Sequence, residues 1–235
     1  MRSPHVVVGY HHFGMVTGKF AYCLARAVAY EGGRIKSVIQ MPSPYTDDAR
    51  NKIVETFLFL PDPEYLLMVD ADIDFEKDAI SKTMWVAQTT QADVVWGNYA
   101  LGTFSNSIFA KDPKGTEFAV PYVDLKPNAI YENIYAGGTG WCLMHRGLLL
   151  KMKEKFSAPW HWFDRDIITD KDGKVIKMGE DLSFGRRVSS MEGMKQVGYT
   201  GNFLVHHKLH PTVPQFMAPI AEELGMLVNP QEVSA

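Results

Sequence analysis

Apolar and polar positions in the first hundred residues alternate between strand and helix signals. A short apolar run marks a strand near His5 to Gly9. After Thr17 the spacing changes to three and four, placing Phe20, Leu24, Ala27 and Val28 on one helical face, and a second strand follows near Ser37 to Met41. Pro42 and Pro44 interrupt; Asp47 or Asp48 then caps a helix bearing Ile53, Val54, Phe57 and Leu58, which Pro61 and Pro63 stop. The run Tyr65-Leu66-Leu67-Met68-Val69 reads as a buried strand, and Asp78 opens a helix with Ile80 and Met84 in its stripe. Asp93 leads into a strand from Val94 to Tyr99. This βαβ alternation predicts a Rossmann-like half with helices on both faces of the sheet.

Beyond Tyr99 the pattern loosens into a stretch rich in Gly, Ser, Asn and Pro, with β-like segments near Phe118 to Val123 and Ala129 to Tyr135. Gly137-Gly138-Thr139-Gly140 predicts a sharp turn into the apolar run Trp141-Cys142-Leu143-Met144, followed by a basic helix from Arg146 to Lys155. An aromatic loop (Trp160, His161, Trp162, Phe163) and a turn at Asp170 to Gly173 precede a helix that opens at Gly179-Glu180-Asp181. A last strand runs from Phe203 to His207. The expected organisation is a single α/β domain over 1–235, with a Rossmann-like half over about 1–100, a mixed α/β half over about 101–212 and a tail over 213–235.

Composition narrows the function classes. A chain of 235 residues with 46% hydrophobic and 22% charged content supports one substantial core. The formal charge of -3 supplies no basic footprint of the kind that drives nucleic-acid binding, although Arg146, Lys151, Lys153 and Lys155 form a local basic patch. Cys23 falls inside a predicted helix and Cys142 in an apolar stretch; both read as buried thiols in a reducing compartment, so a cytoplasmic protein is expected. The apolar run from Val6 to Val8 is too short for a signal-peptide core, no other segment reaches spanning length, and no membrane partner is expected.

The candidate chemistry begins where the strand at Tyr65 to Val69 meets Asp70, Asp72 and Asp74. Unpaired charge cannot continue a buried strand, so Asp70 is expected at the strand's carboxyl end, the edge where open α/β sheets bind ligands. Acids on every second residue share a face that a divalent cation bridging phosphates would suit. Two acids at a strand end also serve as a plain turn or helix cap, and acids opening a helix, as Glu180 and Asp181 do, are favoured by the macrodipole by about 0.3–1 kcal/mol without any function. Gly179 lets the backbone there approach a ligand, and a carboxylate at that point could accept a proton from an attacking hydroxyl. His206-His207-Lys208 ends an apolar strand, so one of the two histidines faces any cleft. The His206 to His210 spacing lacks the Glu of a zincin helix, and Pro211 opposes a helix there. Trp141, Trp160 and Trp162 read either as core or as sugar-stacking platforms.

Taken in order, these segments resemble the metal-dependent glycosyltransferases of the GT-A fold, in the family-2-like group with its bacterial and bacteriophage members. The resemblance runs from about residue 5 to 210. It rests on Val8-Gly9-Tyr10, Asp47-Asp48-Ala49-Arg50-Asn51, Leu67-Met68-Val69-Asp70-Ala71-Asp72, Gly138-Thr139-Gly140-Trp141 leading to Arg146, Gly179-Glu180-Asp181 with Phe184 and Arg187, and His206-His207-Lys208. The resemblance implies a UDP- or GDP-sugar donor bound by Tyr10, Arg50, Asp70, Asp72 and Gly138. It implies a Mn²⁺ or Mg²⁺ ion on Asp72 and His206, with His207 as the alternate and Asp70 acting through water. Asp181 is implied as the base, with Glu180 beside it. Thr139, Gly140, Trp141, Trp160 and Trp162 fall on the acceptor side, the acceptor being a protein, a modified nucleic-acid base, a glycan or a small molecule. Arg50 would steady either the acids or the diphosphate. Gly9 stands where many relatives carry proline. Two other readings keep the fold: a sugar-phosphate nucleotidyltransferase, for which Tyr10-His11-His12-Phe13-Gly14 lacks the usual Gly-rich basic loop, and a non-catalytic carbohydrate- or nucleotide-binding module.

Overall fold

The computed structural model describes residues 4–99, 106–111, 119–121, 125–132, 134–156, 162–169, 173–202 and 205–206. In chain order the elements are β1 (Val6–His12), α1 (Gly18–Tyr30), β2 (Ile35–Pro42), α2 (Thr46–Phe59), β3 (Tyr65–Val69), β4 (Ile73–Asp74), α3 (Ala79–Thr90) and β5 (Val94–Gly97). The second half continues with β6 (Ile108–Lys111), β7 (Ala119–Pro121), β8 (Ile130–Tyr131), β9 (Ile134–Gly137), β10 (Trp141–His145) and α4 (Arg146–Lys155). It closes with β11 (Ile167–Thr169), β12 (Val175–Lys177), α5 (Glu180–Ser189), β13 (Gln196–Tyr199) and β14 (Val205–His206).

Seven strands form the central sheet in the order β2-β1-β3-β10-β5-β13-β8. β1 runs parallel to β2 and β3, and β13 parallel to β5, while β10 lies antiparallel between β3 and β5. The architecture is therefore the expected α/β class with a mixed central sheet. Strand alternation sorts the core into two layers. Val6, Val8, Leu67, Val69, Val95 and Leu143 pack with Phe20, Cys23 and Ala27 of α1 and with Ile80 and Met84 of α3. Val7, Leu66, Met68, Trp96, Cys142 and Met144 face Ile53 and Phe57 of α2, Leu148 and Met152 of α4, and Phe184 and Val188 of α5.

Several local expectations need correction. Val28 is exposed and Cys23 takes its place in the buried stripe of α1, which is a narrow face of Phe20, Cys23 and Ala27. Tyr45, not Asp47 or Asp48, is the N-cap of α2, and the two acids lie in its first turn. The apolar run from Ala129 to Tyr135 is two strands: β8 pairs with β13, whereas β9 joins a separate sheet ordered β7-β6-β9. Of the segment expected as a strand from Phe203 to His207, Val205 and His206 form β14, and Phe203, Leu204 and His207 lie outside the described residues. Both cysteines are buried and free. No helix among the described residues is long and apolar enough to cross a membrane.

Arg146, expected as part of a basic patch, has a structural task. Its guanidinium donates to the carbonyls of Phe57 (3.1 Å), Leu58 (3.3 Å), Leu60 and Pro63 (2.8 Å), and it lies over the Phe57 ring at 4.5 Å. These carbonyls belong to the last turn of α2 and the loop that follows it, where a cation also complements the helix dipole. Arg146→Ala should cost about 2 kcal/mol, a fall in Tm of roughly 4–8 °C for a chain of this size, read by thermal melting. An unchanged Tm would show that water replaces the guanidinium at these carbonyls.

Candidate functional site

A cleft of about 620 Å³ opens where the carboxyl ends of β1 and β3 meet the first turns of α2 and α5. It is lined by His11, Thr46, Arg50, Asp70, Asp72, Tyr99, Glu180 and Asp181, with Phe13 and Met15 standing exposed at its mouth. The acids arrive there through strand periodicity. Leu66 and Met68 face α2, and Asp70, two residues further on and just past the last residue of β3, keeps the same face. Its N–H donates to the Gly140 carbonyl at 3.1 Å, and a turn closed by Ile73 N–H to Asp70 O (3.0 Å) brings round Asp72, which is buried.

Arg50 organises the site. It is 5% exposed, and its two terminal nitrogens reach Asp70 Oδ1 at 3.0 Å and Glu180 Oε1 at 2.5 Å, so one side chain of α2 ties β3 to α5. Burial works against its charge, but Asp70, Glu180 and Asp181 outweigh it and raise the guanidinium pKa. In this structure Arg50 pairs with two of the acids, one through each terminal nitrogen. Glu180 is correspondingly engaged with Arg50, and the exposed Arg165 approaches it at 3.9 Å from the solvent side.

Asp181 takes its place because α5 packs tightly against β9, where a Cβ on Gly185 would overlap Ala136. Its Oδ1 accepts from Leu182 N–H at 2.8 Å and fills the space that a side chain on Gly179 would need (2.9 Å). Burial pushes the Asp181 carboxyl above the usual range. Arg50 pulls it down, while Glu180 and Asp70 push it further up. A carboxyl of raised pKa facing a cleft is suited to taking up a proton.

The structure does not bring every expected residue together. The resemblance implies Tyr10 in the donor site, but β1 continues through His12, so alternation sends Tyr10 to the α1 face. There it packs edge-on against Phe20 (5.0 Å) and donates to Gln40 Oε1 (3.3 Å), and His11 enters the cleft instead. Burial lowers the His11 pKa, and Arg50 adds to this, against the opposing pull of Asp70, Asp72 and Glu180. Trp141 and Trp162 are fully buried and correct the expectation of sugar-stacking platforms. Their indole N–H groups donate to Thr83 Oγ1 (3.0 Å) and to the Leu149 carbonyl (2.9 Å), which leaves both rings in the core. Trp160 lies outside the described residues.

Gly138, Thr139 and Gly140 are buried and none lines the cleft. The two glycines instead make room for Tyr99, whose hydroxyl accepts from Gly140 N–H at 3.0 Å. Tyr99, like His11, lines the cleft without having been singled out from the sequence; its trace there is the Gly-x-Gly pair, which calls for something large packed against it but does not say what. His206 pairs through its backbone with Ile73, next to Asp72, and His207 lies outside the described residues. Among the described residues no group of three His, Cys, Asp or Glu side chains is arranged to hold a metal ion by itself.

No protein-family model matches this chain, and no curated protein does. Among solved structures, the crystal structure of A197 from STIV matches with a TM-score of 0.57 at 18% identity, covering 86% of this chain and 85% of that one. A glycosyltransferase involved in the glycosylation of the major capsid of PBCV-1 matches with a TM-score of 0.37 at 14% identity, over 68% of this chain and 71% of that one. The first likeness shows a shared fold; the second is too loose to bear on fold or chemistry.

Proposed function

We propose that this protein is a GT-A-type glycosyltransferase that moves a sugar from a UDP- or GDP-sugar to an acceptor hydroxyl with the help of Mn²⁺ or Mg²⁺. The observation that carries this reading is one cleft uniting Asp70 and Asp72, at the end of a buried strand, with Asp181 of raised pKa on a helix more than a hundred residues away. The charge balance supports it. Four lining carboxylates face one lining arginine, which already pairs with two of them, so a nucleoside diphosphate entering this cleft would call for a cation to offset the excess negative charge.

The donor set fits a hard cation. Asp72 would ligate it directly and Asp70 through water; His206, on the strand paired with Ile73, would be a second ligand, with His207 the alternate. Among the described residues no three such side chains form a complete cage, so substrate phosphates and water would have to supply the remaining ligands. When bound, such a cation supplies Lewis-acid stabilisation of the negative charge that develops on the leaving diphosphate. The chain's own residues do the rest. Arg50 holds Asp70 and Glu180 in fixed positions. Asp181 takes the acceptor's proton as the acceptor oxygen attacks the sugar and the diphosphate departs.

Calorimetric titration with UDP and GDP, with and without Mn²⁺, tests the reading without knowledge of the acceptor. The wild-type protein should bind one nucleotide in a Mn²⁺-dependent manner, and Asp72→Asn should weaken that binding by about tenfold or more. Nucleotide binding that ignores both Mn²⁺ and the substitution would overturn the cation assignment. No binding of either nucleotide to the folded protein would count against the glycosyltransferase reading.

A further inference from the structure

We propose that Asn51 is a positioning residue for the base Asp181: its amide holds the segment 162–166, and through it the start of α5, in register with α2. The role rests on the glycosyl-transfer reading above, and three observations carry it.

The first is the amide itself. Asn51 follows Arg50 on α2, yet it is 1% exposed and does not line the cleft. Its Oδ1 accepts from Phe163 N–H at 3.1 Å, while its Nδ2 donates to the Phe163 carbonyl at 2.7 Å and to the Asp47 carbonyl at 2.9 Å. One side chain thus pairs with both backbone groups of a residue 112 positions away, as a neighbouring strand would. A carboxamide carries an acceptor and two donors on one planar group, and each has a partner here.

The second is what the held segment carries. Phe163 is fully buried, and its ring stacks on Phe184 of α5 with 4.7 Å between centroids and 16° between planes. Further along, Asp166 N–H donates to Ser183 Oγ at 2.9 Å, and the Asp166 carboxylate accepts from Arg187 at 2.8 Å and from Arg186 at 3.1 Å. The segment is therefore bonded to α2 on one side and to α5 on the other. Glu180 and Asp181 form the first turn of α5 and are carried with it.

The third is what the other contacts of α5 leave open. Packing of Gly185 against Ala136 sets the distance of the helix from β9, and Arg50 ties only Glu180, through a long side chain. Asn51 joins α2 to a backbone through a shorter side chain with fewer rotatable bonds, which makes it the stiffer link across the gap between the helices. It also brings no charge to a cleft already rich in carboxylates. A general base acts only within hydrogen-bond reach of the proton it takes, and a displacement of about 1 Å can cost about a hundredfold in rate.

The test follows nucleotide release from UDP-glucose, UDP-galactose and GDP-mannose with Mn²⁺, water serving as acceptor, in the wild type, Asn51→Ala, Asp181→Asn and the double variant. For whichever donor turns over, Asn51→Ala should lower kcat by about tenfold or more. Calorimetric nucleotide binding should keep its stoichiometry, with Kd within about twofold of the wild type, a split that loss of folded protein would not produce. In the Asp181→Asn background the alanine change should cause no further loss, because a residue that acts through the base then has nothing left to position. Asn51→Asp keeps an acceptor for Phe163 N–H and loses the donors; it should show the same pattern and serves where Asn51→Ala fails to fold. Wild-type kcat in a folded Asn51 variant, or an equal loss with and without the Asp181 carboxylate, would overturn the proposal and leave Asn51 a packing residue. Absence of nucleotide release by the wild type from all three donors would instead sink the glycosyl-transfer reading, and the proposal with it.

Discussion

Asp181→Asn should lower the rate of sugar transfer by about a hundredfold or more, the usual scale for losing a positioned general base. The amide keeps the shape and the acceptance from Leu182 N–H but cannot take up the acceptor's proton. Binding of the donor nucleotide, measured by calorimetry, should stay within about twofold of the wild type, because the change removes a transition-state interaction and not a ground-state one. Stability should move the other way. The native Asp181 carboxyl is held above its ordinary value, chiefly by burial, so the folded state keeps this proton to higher pH than the unfolded chain, where it titrates near ~3.9. Stability therefore falls as pH rises between those two values and stays lower above them. Asparagine carries no such penalty. The variant should melt at a higher temperature than the wild type at pH 8, and the difference should close near pH 4. Wild-type transfer rates in the variant would mean the base lies elsewhere, and a lower melting temperature at pH 8 would mean that the carboxylate matters chiefly as a partner of Arg50.

Arg50→Ala should produce the largest loss of stability of any single change in the cleft. Removing a buried cation leaves Asp70, Glu180 and Asp181 facing one another without compensation, and breaking a buried ion network from one side costs about 3–5 kcal/mol. For a chain of this length that is a fall in Tm of about 10 °C, with transfer activity lost alongside it. Arg50→Lys separates charge from geometry. One ammonium cannot reproduce two nitrogens of a rigid fork bonded to acids on different elements, so the lysine variant should fall between alanine and wild type in a thermal melt. A lysine variant as stable as the wild type would show that the fork geometry is dispensable.

Much of this site could be read along the chain because it depends on local chemistry. Asp70 and Asp72 end an apolar strand, and Glu180 and Asp181 follow the glycine that opens α5; each was placed by rules that act over a few residues. The misplacements share a different cause. Tyr10 and His11 exchanged roles because β1 runs to His12 instead of stopping at Gly9, and with a period of two the continued strand fixes which residue meets Arg50. Trp141 and Trp162 are buried by packing between layers, which no local pattern encodes. Tyr99 was invisible for a related reason: it gains its place from two glycines about forty residues downstream, a complementarity that appears only once β10 lies beside β5.

That placement of β10 also bears on how the molecule can be divided. The strand comes from the second half of the chain yet is inserted between β3 and β5, both of which come from the first half. A fragment ending near residue 100 would lack the strand that joins its own two sheet segments, leaving two bare edges over an exposed apolar surface. The halves that differ in sequence texture are thus not separable modules. Gene fission between them would give a functional protein only if the two pieces found each other and completed the sheet together, and recombination with a related fold would have to carry β3, β5 and β10 as one unit.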